Sequence, residues 1–292
     1  LSPADQALML AHAGFRLRAL GRLTDAVAPI GVAAQLPIAT GEFERASAGF
    51  GNLNELLLVL GRIGGVAGDL ASLDWAGPEA ETAGALAAAA AAVTFADRSG
   101  YGFERLKQRT KLAGALTRAG AAGAAEALFR AAEVLQAERQ PQLPRLYSLR
   151  GYLHGELLLA RGRAAEAAER ADYALEAGQG GNASLLGIGL DQLTLARAAL
   201  AATGGTHDPG LIARFDTALD ALRRANRDDY IPRALLARAG ACLALGEFGE
   251  AAEMLDKAEE SARRGPMPLF LADALILRAR RACAAGHPNA AA

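Results

Sequence analysis

The chain has 292 residues, of which 72 are alanine and 33 are glycine, and aromatic residues make up only 5%. Its 31 basic and 32 acidic residues are balanced, unlike those of a typical nucleic-acid-binding protein, and its 52% hydrophobic content excludes a disordered chain. Alanine favours helix over strand, so the composition predicts an all-α protein.

The predicted helices start at the N-terminus with a clear signal. Ser2 and Asp5 flank Pro3, which is the arrangement of a capping box with proline in the first turn. Pro209 and Pro232 mark two further helix starts. Apolar spacing and turn residues predict about fourteen helices, over residues 3–20, 23–37, 42–60, 63–76, 79–98, 102–119, 122–138, 142–161, 164–178, 182–202, 208–225, 231–245, 248–264 and 268–285.

Glycines recur at the ends of predicted helices and define a repeat. The glycines are Gly21, Gly61, Gly120, Gly162, Gly204 and Gly246. The last three intervals between them are equal and give a period of about 42 residues, whereas the interval from Gly61 to Gly120 is too long by about 17 residues. Glycine adopts the left-handed conformation that ends a helix, so each is expected to join the two helices of an antiparallel pair.

The long interval contains Trp75, the only tryptophan, followed by Gly77 and Pro78. It predicts an extra helix and an irregular insertion at about residues 64–80. The last helix is expected to cap the stack, and residues 287–292 to form a frayed tail. No linker marks a boundary, so residues 1–286 are predicted to form a single domain.

Small and large apolar residues alternate after these glycines. After Gly120 they are Ala122, Ala125, Phe129 and Ala132. This pattern, from about residue 8 to residue 257, resembles the tetratricopeptide repeat (TPR), although aliphatic residues replace most of its aromatic ones. The resemblance implies a right-handed superhelical solenoid of antiparallel helix pairs. The standard repeat has about 34 residues, so the longer period of this chain implies longer helices.

Long repeats of this type are similar to the sensor regions of large bacterial signal-transducing NTPases. Stretches 95–100, 133–141 and 190–197 share a looser likeness with that group. The resemblance implies a cytoplasmic scaffold or sensor in bacterial signalling, which could be part of a larger protein.

No catalytic motif is recognisable in the sequence. No lysine follows a glycine, as a P-loop requires, and the glycine-rich stretch 178–183 follows a helix rather than a strand. His154-Gly155-Glu156 lacks the cysteine pair of a zinc deaminase, so His154 is expected to be a packing residue. Cys242 and Cys283 lie in apolar helical patterns, which favours a reducing compartment. We expect no catalytic residue, no metal, no cofactor and no enzyme activity.

The first helices of the pairs are expected to line a concave groove. Tyrosine and arginine are common in recognition hot spots and stand out against the alanine background, although each could instead make contacts within the stack. Projecting the repeat onto these helices predicts the groove residues Phe15, Arg18, Asn52, Glu55, Arg105, Arg109, Thr110, Tyr147, Tyr152, Asp191, Thr194, Tyr230 and Arg233.

The expected function is non-enzymatic binding of a protein or peptide segment along this groove, with no role for nucleic acid or membrane. The longest apolar run, residues 84–96, is too short to cross a bilayer. A small-molecule-sensing domain of a bacterial regulator and a self-assembly module are the alternatives. Reversing the charges of Arg109 and Arg233 together is expected to weaken partner binding without lowering the melting temperature.

Overall fold

The computed structural model describes residues 2–64, 73–75, 77, 82–178, 184–203 and 210–286, which form helices and no strand. The all-α prediction is therefore confirmed for these residues. The thirteen α-helices within them are α1 Pro3–Ala19, α2 Val27–Ala39, α3 Phe43–Val59, α4 Ala85–Ser99, α5 Gly102–Arg118, α6 Ala122–Arg139, α7 Ser148–Ala160, α8 Ala164–Gly178, α9 Leu185–Thr203, α10 Leu211–Arg224, α11 Ile231–Ala244, α12 Phe248–Arg264 and α13 Pro268–Ala284.

The chain folds as two compact units, Leu1–Leu146 and Tyr147–Ala292. In the first unit the pairs are α1 with α2, α3 with α4 and α5 with α6. In the second unit they are α7 with α8, α9 with α10 and α11 with α12, and α13 packs on α12 and α11. The prediction of one domain over residues 1–286 stays a prediction, and the predicted tail lies outside the described residues.

The turn glycines have the predicted left-handed backbone wherever the structure describes them. Their φ angles lie between 71° and 80°, and each donates its N–H to the carbonyl three residues earlier. This geometry ends the first helix of each pair and turns the chain towards the second. The glycines concerned are Gly21, Gly61, Gly120, Gly162 and Gly246; Gly204 is outside the described residues.

The extra helix predicted over residues 63–76 is wrong wherever that span is described. Residues 63–64 and 73–75 are not helical, and the remainder of the span lies outside the described residues. The helix that pairs with α3 is α4, which begins only at Ala85. Ala85 donates to the carbonyl of Arg62 at 2.8 Å, and Leu86 to that of Ile63 at 3.1 Å. The start of α4 therefore lies beside the residues that follow α3. The irregular insertion connects the two helices of one pair.

Trp75 anchors this segment against α2. Its side chain is almost fully buried, and a Cβ atom at Gly31 would lie only 2.2 Å from its ring. The Gln35 amide on the same helix donates to the carbonyl of Leu73 at 3.3 Å. Glycine at position 31 thus makes room for the indole.

Two other helices, α2 and α7, start at least four residues later than predicted. Residues 23–26 form a turn, in which Ala26 donates to the carbonyl of Leu23, so α2 starts at Val27 rather than residue 23. The helix predicted from residue 142 starts at Ser148, because the backbone of Tyr147 before it is extended, with φ −138° and ψ 172°.

One described helix is long and apolar enough to cross a membrane by length and composition alone. It is α9, with a mean hydropathy of 1.3, and the sequence analysis did not single it out. In the second unit it packs against α7, α8 and α10, and core helices of water-soluble proteins give the same weak signal. The cytoplasmic location stays a prediction.

Candidate functional site

An open groove lies between α1 and α3 in the first unit. Both helices pack on α2, whereas they make little contact with each other, so α2 forms the floor. The groove encloses about 310 Å³. Its lining is mainly apolar and consists of Ala4, Asp5, Ala7, Leu8, Ala11 and Phe15 of α1, Ile30, Ala33 and Pro37 of α2, and Arg45, Ala48, Gly49 and Asn52 of α3.

Glycines set how closely the walls approach the floor. A Cβ atom at Gly14 of α1 would lie 2.4 Å from Cγ1 of Ile30. A Cβ atom at Gly49 of α3 would lie 2.6 Å from Cα of Ala34. Neither distance is compatible with a side chain, so both walls sit tightly on α2 while the space between them stays open.

Few polar groups face this groove. Pro37 has no N–H, so the carbonyl of Ala33 one turn earlier lacks its usual helical donor. Asn52 adds a side-chain amide to the opposite wall. At the rim, Ser2 caps α1 by accepting a hydrogen bond from the N–H of Asp5, whose carboxylate accepts one from the N–H of Ser2. Arg45 and Glu42 form an ion pair of 2.6 Å.

Two predicted groove residues, Phe15 and Asn52, are brought together here. Phe15 is 46% exposed although it is a large apolar side chain. Leu8, two turns earlier on the same helix, is also exposed and lines the groove. Exposed apolar side chains beside a cavity are typical of a binding surface.

Arg18 and Glu55 lie in an ion-pair chain across three helices. Nη1 of Arg18 is 3.8 Å from Glu55, and Nζ of Lys111 on α5 is 3.0 Å from the same carboxylate. Burial lowers the pKa of Lys111, and the Glu55 carboxylate opposes that shift. Lys111 was not among the predicted groove residues, because the spacing of the turn glycines does not single out its position.

The predicted residues on α5 make contacts within the chain. Arg109 binds both carboxylate oxygens of Asp97 at 2.9 and 3.0 Å, and Arg105 approaches the same group at 3.2 Å. Burial opposes ionisation of Asp97, but the two arginines outweigh it and lower its pKa. Thr110 is buried and donates its hydroxyl to the carbonyl of Lys107 at 2.7 Å.

A charged cluster joins three first helices of the second unit. Glu156 of α7 accepts hydrogen bonds from Arg197 of α9 and Arg233 of α11. The Arg233 guanidinium also lies 6.0 Å from the ring of Tyr152 and 5.5 Å from that of Phe270. Two predicted groove residues, Arg233 and the buried Tyr152, are therefore brought together, whereas Glu156 and Arg197 were missed.

Three more predicted residues lie apart from this cluster. Tyr147 and the buried Asp191 line a cavity of only about 10 Å³, room for about one water molecule. Burial raises the pKa of Asp191 to about 8. Tyr230 packs its ring against the guanidinium of Arg227 at 5.0 Å.

Thr194 is buried between two first helices. A Cβ atom at Gly155 of α7 would lie 3.2 Å from its methyl group, and its hydroxyl donates to the carbonyl of Leu190. His154, beside that glycine, is buried, as expected for a packing residue.

Cys242, Glu247 and Glu250 bring three potential metal ligands within 4.8 Å of one another. Their surroundings fit a metal poorly. Arg238 lies 3.2 Å from Glu250 and 3.6 Å from the sulfur of Cys242. Burial raises the pKa of Cys242 to about 11, so the thiol stays protonated at neutral pH.

No protein-family model matches this chain, and no curated protein matches it significantly. The resemblance to the tetratricopeptide repeat therefore stays a prediction.

Proposed function

We propose that the chain is a non-enzymatic helical-repeat module that binds a protein or peptide segment in the groove between α1 and α3. The observation that carries the proposal is the open, apolar groove of about 310 Å³ with Phe15 and Leu8 exposed beside it. We further propose that the helix pairs follow the TPR-like arrangement, a right-handed solenoid, in a cytoplasmic protein of bacterial signalling.

The lining of the groove supports a peptide as the ligand. Its alanine-rich walls can accommodate one or two apolar side chains, which gain free energy by leaving water. The Ala33 carbonyl and the Asn52 amide can hydrogen-bond to a peptide backbone nearby.

The pairing of charged residues supports the absence of catalysis. Glu55, Asp97 and Glu156 are each held by cations of the same chain. Ion pairs of this kind hold helices together, whereas a catalytic acid or base must reach a substrate.

Peptide selection against the purified chain tests this function. Random twelve-residue peptides would be displayed on phage, and the selected peptides titrated against wild type, Ala11→Trp and Ala131→Trp. Ala11 lines the groove, so its replacement fills the cavity, whereas Ala131 is exposed on α6 and serves as the matched control.

We expect affinity to fall about tenfold or more for Ala11→Trp, equivalent to about 1.4 kcal/mol, and to stay unchanged for Ala131→Trp. Equal affinity of all three proteins would show that the groove is not the site. Melting temperatures of both variants would show whether the fold is retained.

A small-molecule sensor is the second candidate, because the groove volume lies at the lower end of the range for ligand pockets. A thermal-shift screen with a metabolite panel separates the two functions. Stabilisation by a metabolite, lost in Ala11→Trp, together with failure to select peptides would favour the sensor.

A further inference from the structure

The last helix, α13, repeats part of the sequence of α11. Both segments end in a left-handed glycine, Gly246 after α11 and Gly286 after α13. The two segments share Ala, Leu, Arg and Ala at corresponding places, namely Ala234 and Ala274, Leu235 and Leu275, Arg238 and Arg278, and Ala239 and Ala279. By sequence, α13 is therefore the first helix of another pair.

Ion pairs confirm this register. Arg238 of α11 binds Asp216 on the preceding helix, 22 residues earlier. Arg278 of α13 binds Asp256 on its own preceding helix, again 22 residues earlier. The two helices thus sit in the same way on the helix before them.

The corresponding residues differ sharply in exposure. Leu235 and Leu236 of α11 are 3% and 7% exposed, whereas Leu275 and Ile276 of α13 are 63% and 52% exposed. The elements that follow α11, namely α12 and α13, pack against it, and none follows α13 among the described residues. A cap would need a polar outer face, whereas two large apolar side chains of α13 are exposed.

We propose that this open face of α13, formed by Leu275, Ile276 and Ala279, binds an amphipathic helix of a partner polypeptide, placed as α12 is placed beside α11. The pattern of α12 defines the chemistry of that partner. Its buried residues include Ala251, Leu255 and Ala258, one helical stripe of small and large apolar side chains. The surface is separate from the groove between α1 and α3.

Charge supports a partner helix with an acidic residue rather than a second copy of this chain. On α12, Glu250 approaches Arg238 at 3.2 Å. The equivalent Arg278 already binds Asp256 and Glu259 of α12, so the exposed Arg280, one turn after Ile276, is the cation left for an acid of the partner. Two copies joined through α13 would bring together Arg280 and Arg281 of each chain, while Asp273 is the single acid of that helix. Repulsion between these cations disfavours self-association.

A peptide with the sequence of residues 247–264 is the probe for this site. The peptide would be fluorescently labelled and titrated by anisotropy against wild type and the double variant Leu275→Glu/Ile276→Glu. Val134→Glu, which changes an exposed valine on α6, is the matched control. Circular dichroism and light scattering of each protein would accompany the titration.

We expect saturable binding to wild type and Val134→Glu, and at least about tenfold weaker binding to the α13 variant. Charge reversal in the peptide, Glu250→Lys, should also weaken binding. The variant should keep its helix content, because both replaced side chains are exposed. No binding to wild type, or equal binding to the α13 variant, would overturn the proposal. So would a wild-type dimer that this variant abolishes, since the occupant would then be a second copy.

Discussion

Asp191 illustrates how a single residue departs from what its type suggests. A carboxylate on a first helix was expected to face a groove, yet this side chain is buried among α7, α8 and α9. Burial disfavours the charged form and raises its pKa to about 8. At neutral pH the folded protein therefore keeps a proton that the unfolded chain releases.

The pH dependence of stability follows from this difference. Between the unfolded pKa of 3.8 and the folded value of about 8, the folded state binds more protons, so the free energy of unfolding falls as pH rises. The contribution of Asp191 should fall by at most about 1.4 kcal/mol per pH unit within that window and level off above it.

Urea unfolding of wild type and Asp191→Asn at pH 5, 6, 7 and 8 measures this effect. The variant should lose the slope and be the more stable protein at pH 8. An identical slope in both proteins would place the titration elsewhere.

Arg109 and Arg233 show how a charge that resembles a binding residue can serve the fold. Arg109 holds Asp97 through two hydrogen bonds, and Arg233 reaches Glu156 two pairs away along the chain. Reversing both charges would break these ion pairs and leave like charges in contact. The double reversal is therefore expected to lower the melting temperature, contrary to the expectation from the sequence. Weaker binding by this variant would not distinguish a lost binding contact from a less stable fold.

At the scale of the helices, α2 packs against a side chain that lies outside every described helix. Trp75 is buried against Gly31 of α2, and no acceptor for its indole N–H lies within hydrogen-bond reach among the described residues. The ring thus contributes through packing.

Trp75→Ala should lower the free energy of unfolding by about 3–5 kcal/mol, because it leaves a cavity beside α2. Trp75→Phe keeps an aromatic ring and removes the buried N–H, so it should cost much less. Equilibrium urea unfolding of both variants checks the order. A loss as large in the phenylalanine variant as in the alanine variant would contradict the packing account.

The helices themselves were largely predictable, whereas the surface they present was not. Gly120, Gly162 and Gly246 mark turns that depend only on local backbone conformation. Thr110, Tyr152 and Thr194 all stand ten residues before a turn glycine, and all three are buried. On alanine-rich helices that are apolar nearly all round, periodicity cannot tell a groove-facing position from one that faces a neighbouring helix.

At the scale of the whole molecule, each unit has its own set of internal contacts and its own buried core. Phe50 and Phe129 lie in the core of the first unit, and Leu157 and Phe215 in that of the second. A core of its own allows a unit to open without the rest of the chain.

Hydrogen exchange followed by mass spectrometry tests this independence. Trp75→Ala should reduce amide protection in α2, α3 and α4, while protection in α8 to α12 stays at the wild-type level. Equal loss throughout the chain would show that the two units unfold as one cooperative body.

The hydrogen bond from Ala85 to the carbonyl of Arg62 has a consequence for how this protein can vary in length. This bond joins the end of α3 to the start of α4 and does not depend on how many residues lie between them. Lengthening a closed loop adds little entropic cost. Residues 63–84 should therefore be where natural variants of the chain gain or lose residues most freely, and where a reporter domain could be grafted. Such a graft has to keep the indole of Trp75, which is buried against Gly31.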